Sequence, residues 1–443
     1  MTRVCVVGIG ADGWAGLSEP VRERVHAADV VLGGSRHLAL LPEVEGQVRR
    51  TWPSPMRDGL VPLLDELAGG SVVALASGDP MVSGIGTTLV ALLGADAVEV
   101  LPAVSSVALA RARMHWAAES VDVVSLVGRD PHLVLRWLAP GRRLLVLSSD
   151  ETTPGVVASL LVDAGYSASA MTVLGDLGGA EETRIDGAAE TWGGQQSPRL
   201  NVVAITCAAP YELAPLPLVG GLPDDAFEHD GQLTKRDLRA SALARLVPLP
   251  GALLWDVGAG AGSVGIEWLR VHPSARAVAV ERDPDRAARV RRNAARLGVP
   301  GLDVVEGSAP EVLGELLRPD AVFVGGGAAR LGVPGLDVVE GSAPEVLGEL
   351  LRPDAVFVGG GATRPGVLEA CWDALRIGGR LVAHGVTLET ENVLTRWYAE
   401  RGGELTRLQV EHAEPIGGFT GWTPSRAVVQ WAVTKGLQIE EGS

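Results

Sequence analysis

The chain has almost no lysine: among its 38 basic side chains only Lys235 and Lys435 are not arginine. GC-rich coding bias is the plainer account of that, set against arginine's bidentate grip on carboxylates. Cysteine is scarce too. Cys5, Cys207 and Cys371 form neither a disulfide framework nor a metal-ligand spacing, so a reduced cytoplasm is expected and a metal site is not. Aromatic residues are only 4% of the 443, against 47% hydrophobic overall, so the core must be built from Ala, Val and Leu, with Gly at close approaches. No apolar run approaches the roughly 18 residues of a membrane-spanning helix, and no membrane association is expected. A strand begins at Val4 and leaves no room for a signal peptide. Positive charge is short overall. The net charge of −16 argues against a broad nucleic-acid-binding face, though not against a small anionic substrate in a local basic pocket.

What is present reads as two βα series, in keeping with a length too great for one ordinary domain. Residues 1–207 alternate short Val/Ile/Leu runs with Ala/Arg/Leu helical stretches, the pattern of a sheet covered by helices. Residues 208–222 carry Pro210, Pro215, Pro217, Gly220 and Gly221, which break both periodicities and read as a linker. The second domain is expected over 223–435, with a frayed tail from Gly436 to Ser443.

Within it, 294–327 recurs residue for residue at 328–361, a period of 34. Two copies are too few for a solenoid. Each copy predicts strand, helix, strand, at 303–305, 310–317 and 321–324 in the first. Only the Gly- and Pro-rich stretch 325–336 separates the last strand of one copy from the first strand of the next. A crossover between parallel strands takes a dozen or more residues, usually with a full helix. The copies are therefore expected to compete for one place, the surplus being extruded or a hybrid forming.

Leu253–Val257 predicts a buried strand running into Gly258-Ala259-Gly260-Ala261-Gly262, then a helix over 263–270. Glycines let backbone approach a ligand and take dihedrals closed to other residues. Asp256 stands next to last in that strand. The GxGxG spacing lacks the later glycine of a dinucleotide fingerprint, which opposes a nicotinamide-dependent reductase. The next strand, 277–280, ends in Glu281, where a carboxylate can accept both ribose hydroxyls; a solvated acid at a helix start is the plainer alternative. Ser308 and Ala309 follow the third strand, and the repeat duplicates them at Ser342 and Ala343. Thr234-Lys235-Arg236-Asp237-Leu238-Arg239 precedes the series; it is either a Thr-capped helix with a solvated basic face or a functional element.

In the first domain a strand runs into Gly8-Ile9-Gly10. Gly78-Asp79-Pro80 follows the strand 72–76, Ser105-Ser106 follows 98–101, and Gly33-Gly34-Ser35-Arg36-His37-Leu38 follows 30–32. Alone, Gly78-Asp79-Pro80 is an ordinary turn and His37 a surface or capping histidine.

Together these elements, with Trp116-x-x-x-Ser120, resemble the tetrapyrrole methylase family and its carbon-5 methylating members; Val127 stands where that family tends to have histidine. Asp256-x-Gly-x-Gly-x-Gly resembles the opening of class I methyltransferases. With the Thr234–Arg239 element, Asp320–Gly326 and Gly378–Ala383, it resembles the decarboxylating methyltransferases acting at carbon 15 of a precorrin. The resemblance implies an α/β chain, with an N-terminal two-lobed tetrapyrrole methylase fold and a C-terminal Rossmann-like class I methyltransferase fold. It implies one S-adenosyl-L-methionine per domain, held by Gly8, Gly10, Gly78, Asp79, Ser105 and Ser106 in the first and by Asp256, Gly258, Gly260, Gly262, Glu281, Ser308 and Ala309 in the second. The substrate implied is a precorrin of the aerobic cobalamin pathway: precorrin-6B methylated at carbons 5 and 15, with loss of the ring C acetate carboxyl, giving precorrin-8X. Several substrate carboxylates call for basic partners, and Arg36, His37, Lys235, Arg236 and Arg239 are the candidates. No catalytic acid, base or nucleophile is assigned, a homo-oligomer is expected, and a nucleic-acid methyltransferase is the rival reading.

Overall fold

The computed structural model describes residues 3–67, 69–308, 312–325 and 353–436, apart from the side chains of Arg57 and Glu315. The chain divides into two compact units, Met1–Pro215 and Leu216–Ser443.

Unit 1 has two lobes. In the first, β1 (Val4–Ile9), β2 (Val30–Gly33), β3 (Val48–Thr51), β4 (Val72–Ser77) and β5 (Val98–Leu101) form a parallel sheet in the order β3-β2-β4-β1-β5. β1 and β2 are buried along their whole length, as a parallel sheet covered on both faces requires; hence unbroken apolar runs rather than alternation. In the second lobe, β6 (Asp122–Ser125), β7 (Arg143–Leu147), β8 (Ala170–Gly175), β9 (Thr183–Ala188) and β10 (Asn201–Thr206) take the order β6-β7-β10-β8-β9. Only β6 and β7 are parallel there.

Unit 2 is an eight-stranded sheet in the order β13-β12-β11-β14-β15-β16-β20-β17. Its strands are β11 (Leu253–Val257), β12 (Arg276–Glu281), β13 (Asp303–Glu306), β14 (Ala321–Val324), β15 (Ala355–Val358), β16 (Arg380–Gly385), β17 (Glu404–Leu408) and β20 (Val428–Thr434). The first six run parallel, and β20 enters antiparallel between β16 and β17. β18 (Glu411–Ile416) and β19 (Phe419–Pro424) form a separate hairpin. Residues 216–222, assigned to the linker by the sequence, pack into this unit: Leu222 is buried, and the N–H groups of Gly221 and Leu222 donate to Glu267 at 2.7 and 2.9 Å.

The repeat behaves otherwise than its spacing suggested. β14 and β15 are its two identical copies of Ala-Val-Phe-Val, paired in register so that Ala321 faces Ala355 and Phe323 faces Phe357. The last strands of both copies enter the sheet side by side, so these do not compete for one place and the second widens the sheet by one; residues 326–352 lie outside the described residues. The second copy's first predicted strand lies outside the described residues. The connection that matters runs from 325 to 354, ample for a parallel crossover. Of the helix expected over 310–317, the described part is a 3-10 turn at Leu313–Glu315.

Candidate active sites

In unit 2 the buried strand β11 delivers Asp256 to the carboxyl edge of the sheet, the edge where open α/β sheets bind ligands. Asp256 Oδ2 accepts from the Gly265 N–H at 3.0 Å and so ties the strand end to the helix Ser263–Val271. Burial pushes its carboxyl up to about 7, with the nearby Glu281 charge acting in the same direction and the Gly265 hydrogen bond opposing. Gly258, Gly260 and Gly262 all take left-handed φ, at 71°, 61° and 74°. At Gly262 a Cβ would also sit 2.7 Å from Val290 Cγ1, so this turn admits only glycine there.

Glu281 ends β12 and is buried. Its Oε2 accepts from the Gly260 N–H at 2.8 Å and its Oε1 from the Asp283 N–H at 3.1 Å. Each oxygen keeps capacity for a second donor, which is what a ribose diol requires. Asp256, Gly258, Gly260, Glu281 and Ser308 all line one cleft of about 730 Å³. Gly262 shapes the turn from behind, and Ala309, with the duplicate pair Ser342 and Ala343, lies outside the described residues. These residues fit the adenosine end of S-adenosylmethionine: a glycine cradle that a Cβ would fill, with a carboxylate beside it.

The basic element before β11 splits three ways. Lys235 lines the cleft, exposed and 3.5 Å from Asp224. Arg236 donates to the Gly221 carbonyl at 2.9 Å and lines an adjoining groove of about 500 Å³ with His412 and Arg426. Arg239, a candidate substrate partner by sequence, is instead structural. It has no exposed surface, and its guanidinium is spent on Glu267 (2.7 Å), Asp224 (3.2 Å) and the Thr234 and Leu222 carbonyls, over the Phe227 ring. It cannot meet a substrate carboxylate. Thr234 does not cap the following helix Arg236–Leu246 either: the N-cap position is Lys235, without a side-chain bond. The cleft's far side comes from residues the sequence did not offer, Thr363, Arg364, His384, Thr387 and Arg426, set by β15, β16 and the approach to β20. They lie in no short motif, and only the folded sheet brings them together.

In unit 1 the expected residues also gather at the carboxyl edge. Gly8 is where three strand ends converge: a Cβ there would lie 1.9 Å from the Gly78 carbonyl oxygen and 2.5 Å from the Ala103 nitrogen. Gly78 has φ 55° and sits against Ser105 and Val104. At Gly10 a Cβ would meet the Asp12 carboxylate at 2.4 Å. Two polar side chains have local duties: Asp79 Oδ1 accepts from the Met81 N–H at 2.8 Å, and Ser105 Oγ caps the helix Ser106–Met114 through the Ala108 N–H at 3.1 Å. Arg36 and His37 both reach Ser77 Oγ at the end of β4, at 3.0 and 2.9 Å. Burial first, then the Arg36 charge, hold the His37 imidazole down to about 4, so it is neutral near pH 7. Trp116 lies under the Arg143 guanidinium, and the Ser120 hydroxyl donates to the Ala117 carbonyl.

The model for tetrapyrrole (corrin/porphyrin) methylases matches residues 3–191, and that for the precorrin methyltransferase domain matches 225–330 and again 328–435. A protein of Sinorhizobium sp called precorrin-6Y C(5,15)-methyltransferase [decarboxylating] is 43% identical over 434 residues, covering 97% of this chain and 96% of its own length. One of the same name from Mycobacterium tuberculosis is 42% identical over 98% of this chain and 100% of its own. The chain belongs to the precorrin-6Y C(5,15)-methyltransferase (decarboxylating) family. As a member it is an S-adenosylmethionine-dependent C-methyltransferase of α/β fold, with a tetrapyrrole methylase half and a precorrin methyltransferase half. The crystal structure of the C-terminal domain of the Rhodobacter capsulatus precorrin-6Y C5,15-methyltransferase is 36% identical, covering 50% of this chain and 100% of that one, with a TM-score of 0.38. No helix among the described residues is long and apolar enough to cross a membrane.

Proposed function

We propose that the chain converts precorrin-6B to precorrin-8X, unit 1 methylating carbon 5 and unit 2 methylating carbon 15 with release of the ring C acetate carboxyl as carbon dioxide. Each unit binds one S-adenosylmethionine. The observation that carries the reading is the unit 2 cleft, where the glycine turn and Glu281 share one cavity with basic side chains on its rim.

S-adenosylmethionine supplies a methyl group already activated on a sulfonium. The meso carbons of a reduced tetrapyrrole are enamine-like nucleophiles, so what the chain contributes is alignment rather than a base or a covalent nucleophile. Gly258 and Gly260 let the backbone close on the donor, and Glu281 fixes its ribose. Lys235 and Arg426 hold substrate carboxylates at the mouth. Carbon–carbon cleavage of the acetate leaves its electron pair in the conjugated ring, which acts as the sink.

Incubation with methyl-labelled S-adenosylmethionine and precorrin-6B, followed by mass spectrometry of the tetrapyrrole and trapping of carbon dioxide, tests the assignment. On long incubation label should enter at carbons 5 and 15, with carbon dioxide lost only with the carbon-15 methyl. A tetrapyrrole that takes up no label would end the proposal.

A further inference from the structure

The unit 2 cleft is built from both copies of the repeat. β14 supplies Phe323 and Gly325 to it; β15 supplies Phe357 and the turn Gly359–Gly361. The two phenylalanine rings stack with centroids 4.1 Å apart and planes 7° from parallel, as identical residues on register-matched neighbours must. On one side, the glycine turn and Glu281 sit at the ends of β11 and β12. On the other, Thr363 and His384 sit beyond β15 and on β16.

β15 is surplus to the family's domain. The family model breaks off at the end of the first copy and restarts at the second, matching 225–330 and then 328–435, so each match contains one copy. Since β14 keeps its place beside β11, β15 displaces β16 by one strand. Neighbouring strands lie ~4.8 Å apart, so the donor side and the β16 side are separated by about that much more than in a one-copy sheet.

We propose that this inserted strand uncouples the two sides of the unit 2 site. The full chain takes up the methyl donor in unit 2 and methylates carbon 5 in unit 1, but carbon-15 methylation and decarboxylation are slowed at least ~100-fold relative to a one-copy chain. The proposal rests on the function argued above. Methyl transfer needs the reacting atoms about 3–3.5 Å apart and aligned, and a misplacement of ~1 Å can cost 100-fold. A rigid macrocycle held through Arg426, beside the β16–β20 pair, cannot reach the donor across an added strand; moved to the donor, it gives up that hold. In the step affected, the carbon-15 π pair forms the new carbon–methyl bond and the old sulfur–methyl pair stays on sulfur. The acetate's carbon–carboxylate bond then breaks, its pair neutralising the ring as carbon dioxide leaves.

The test compares the full chain with a variant lacking residues 328–361; because the copies are identical, removing either yields the same polypeptide. Calorimetric titration with S-adenosylhomocysteine should give equal affinities in the two proteins. Binding of a stable metal-free corrin polycarboxylate, followed by tryptophan quenching, should be strengthened by S-adenosylhomocysteine at least ~5-fold more in the one-copy protein than in the full chain. The one-copy protein should release carbon dioxide ~100-fold faster or more, with carbon-5 methylation the same in both. Equal carbon dioxide release, or equal coupling, overturns the proposal. If the shortened chain does not fold, the full chain decides alone: carbon dioxide release as fast as carbon-5 methylation overturns it, and a tetrapyrrole carrying one methyl with its acetate intact supports it. Absence of all methyl transfer would instead overturn the functional reading, and this proposal with it.

Discussion

Removing the Arg239 guanidinium would leave Glu267 a buried carboxylate held, among the described residues, by the Gly221 and Leu222 N–H groups alone. Breaking a buried pair from one side costs about 3–5 kcal/mol. Arg239→Ala should therefore lower the urea midpoint sharply with the slope unchanged, while the folded fraction keeps its affinity for S-adenosylhomocysteine. A raised Michaelis constant at unchanged stability would restore Arg239 to the substrate. His384 gives a pH signature. Burial pushes its imidazole down to about 4, the Gln430 hydrogen bond opposing and the Arg245 charge assisting. Between that value and the ordinary ~6.5 the unfolded chain binds a proton that the folded chain refuses. Stability from this group is thus complete above ~6.5 and lost as pH falls toward 4, at most ~3 kcal/mol. Asp256, pushed up to about 7, has the opposite sign: its contribution is complete below the ordinary carboxylate range and lost as pH rises through 7. In urea titrations from pH 7 to 4.5, His384→Gln should flatten the acid-side loss; an unaltered slope would contradict this origin.

At the scale of elements, the repeat offers a comparison between identical residues. Phe323 and Phe357 are both buried, each on its own copy of one tetrapeptide. Truncating a buried phenylalanine costs about 3–5 kcal/mol. Phe323→Ala and Phe357→Ala should each destabilise unit 2 by that order, as measured by chemical denaturation. A second copy lying outside the sheet would make Phe357→Ala silent. The elements also explain what was legible in the sequence. The βα alternation and the glycine turns are local signals: left-handed φ at Gly258, Gly260 and Gly262 leaves little choice of residue, so position along the chain reveals the turn. The structural role of Arg239 is not legible in sequence because its partner, Glu267, sits on another helix, and a basic side chain near a cleft reads alike whether it faces in or out. The same limit hid His384 and Arg426, which reach the cleft through β16 and the approach to β20. In the repeat, the short spacing to the next predicted strand does not govern the sheet, because the chain pairs like with like along 321–324 and 355–358.

For the whole molecule, the two units have separate hydrophobic cores. Trp192, Tyr166 and the β7, β8 and β10 valines fill one cluster of unit 1, while Trp255 and Trp268 lie in two clusters of unit 2. Chains of several domains depart from a single all-or-none transition, so calorimetry should resolve two. A ligand that binds only the folded form stabilises by RT ln(1 + [L]/Kd), ~2.7 kcal/mol at one hundred times Kd. With one cofactor site per unit, S-adenosylhomocysteine should raise both melting temperatures and titrate to two molecules per chain. Glu281→Ala removes the buried carboxylate beside the unit 2 turn and nothing in unit 1. In that variant one transition should still respond to the ligand, the other should not, and the stoichiometry should fall to one. If both transitions keep their shifts, Glu281 does not hold the cofactor; if only one shifts in the unaltered chain, the cofactor is not bound once per unit.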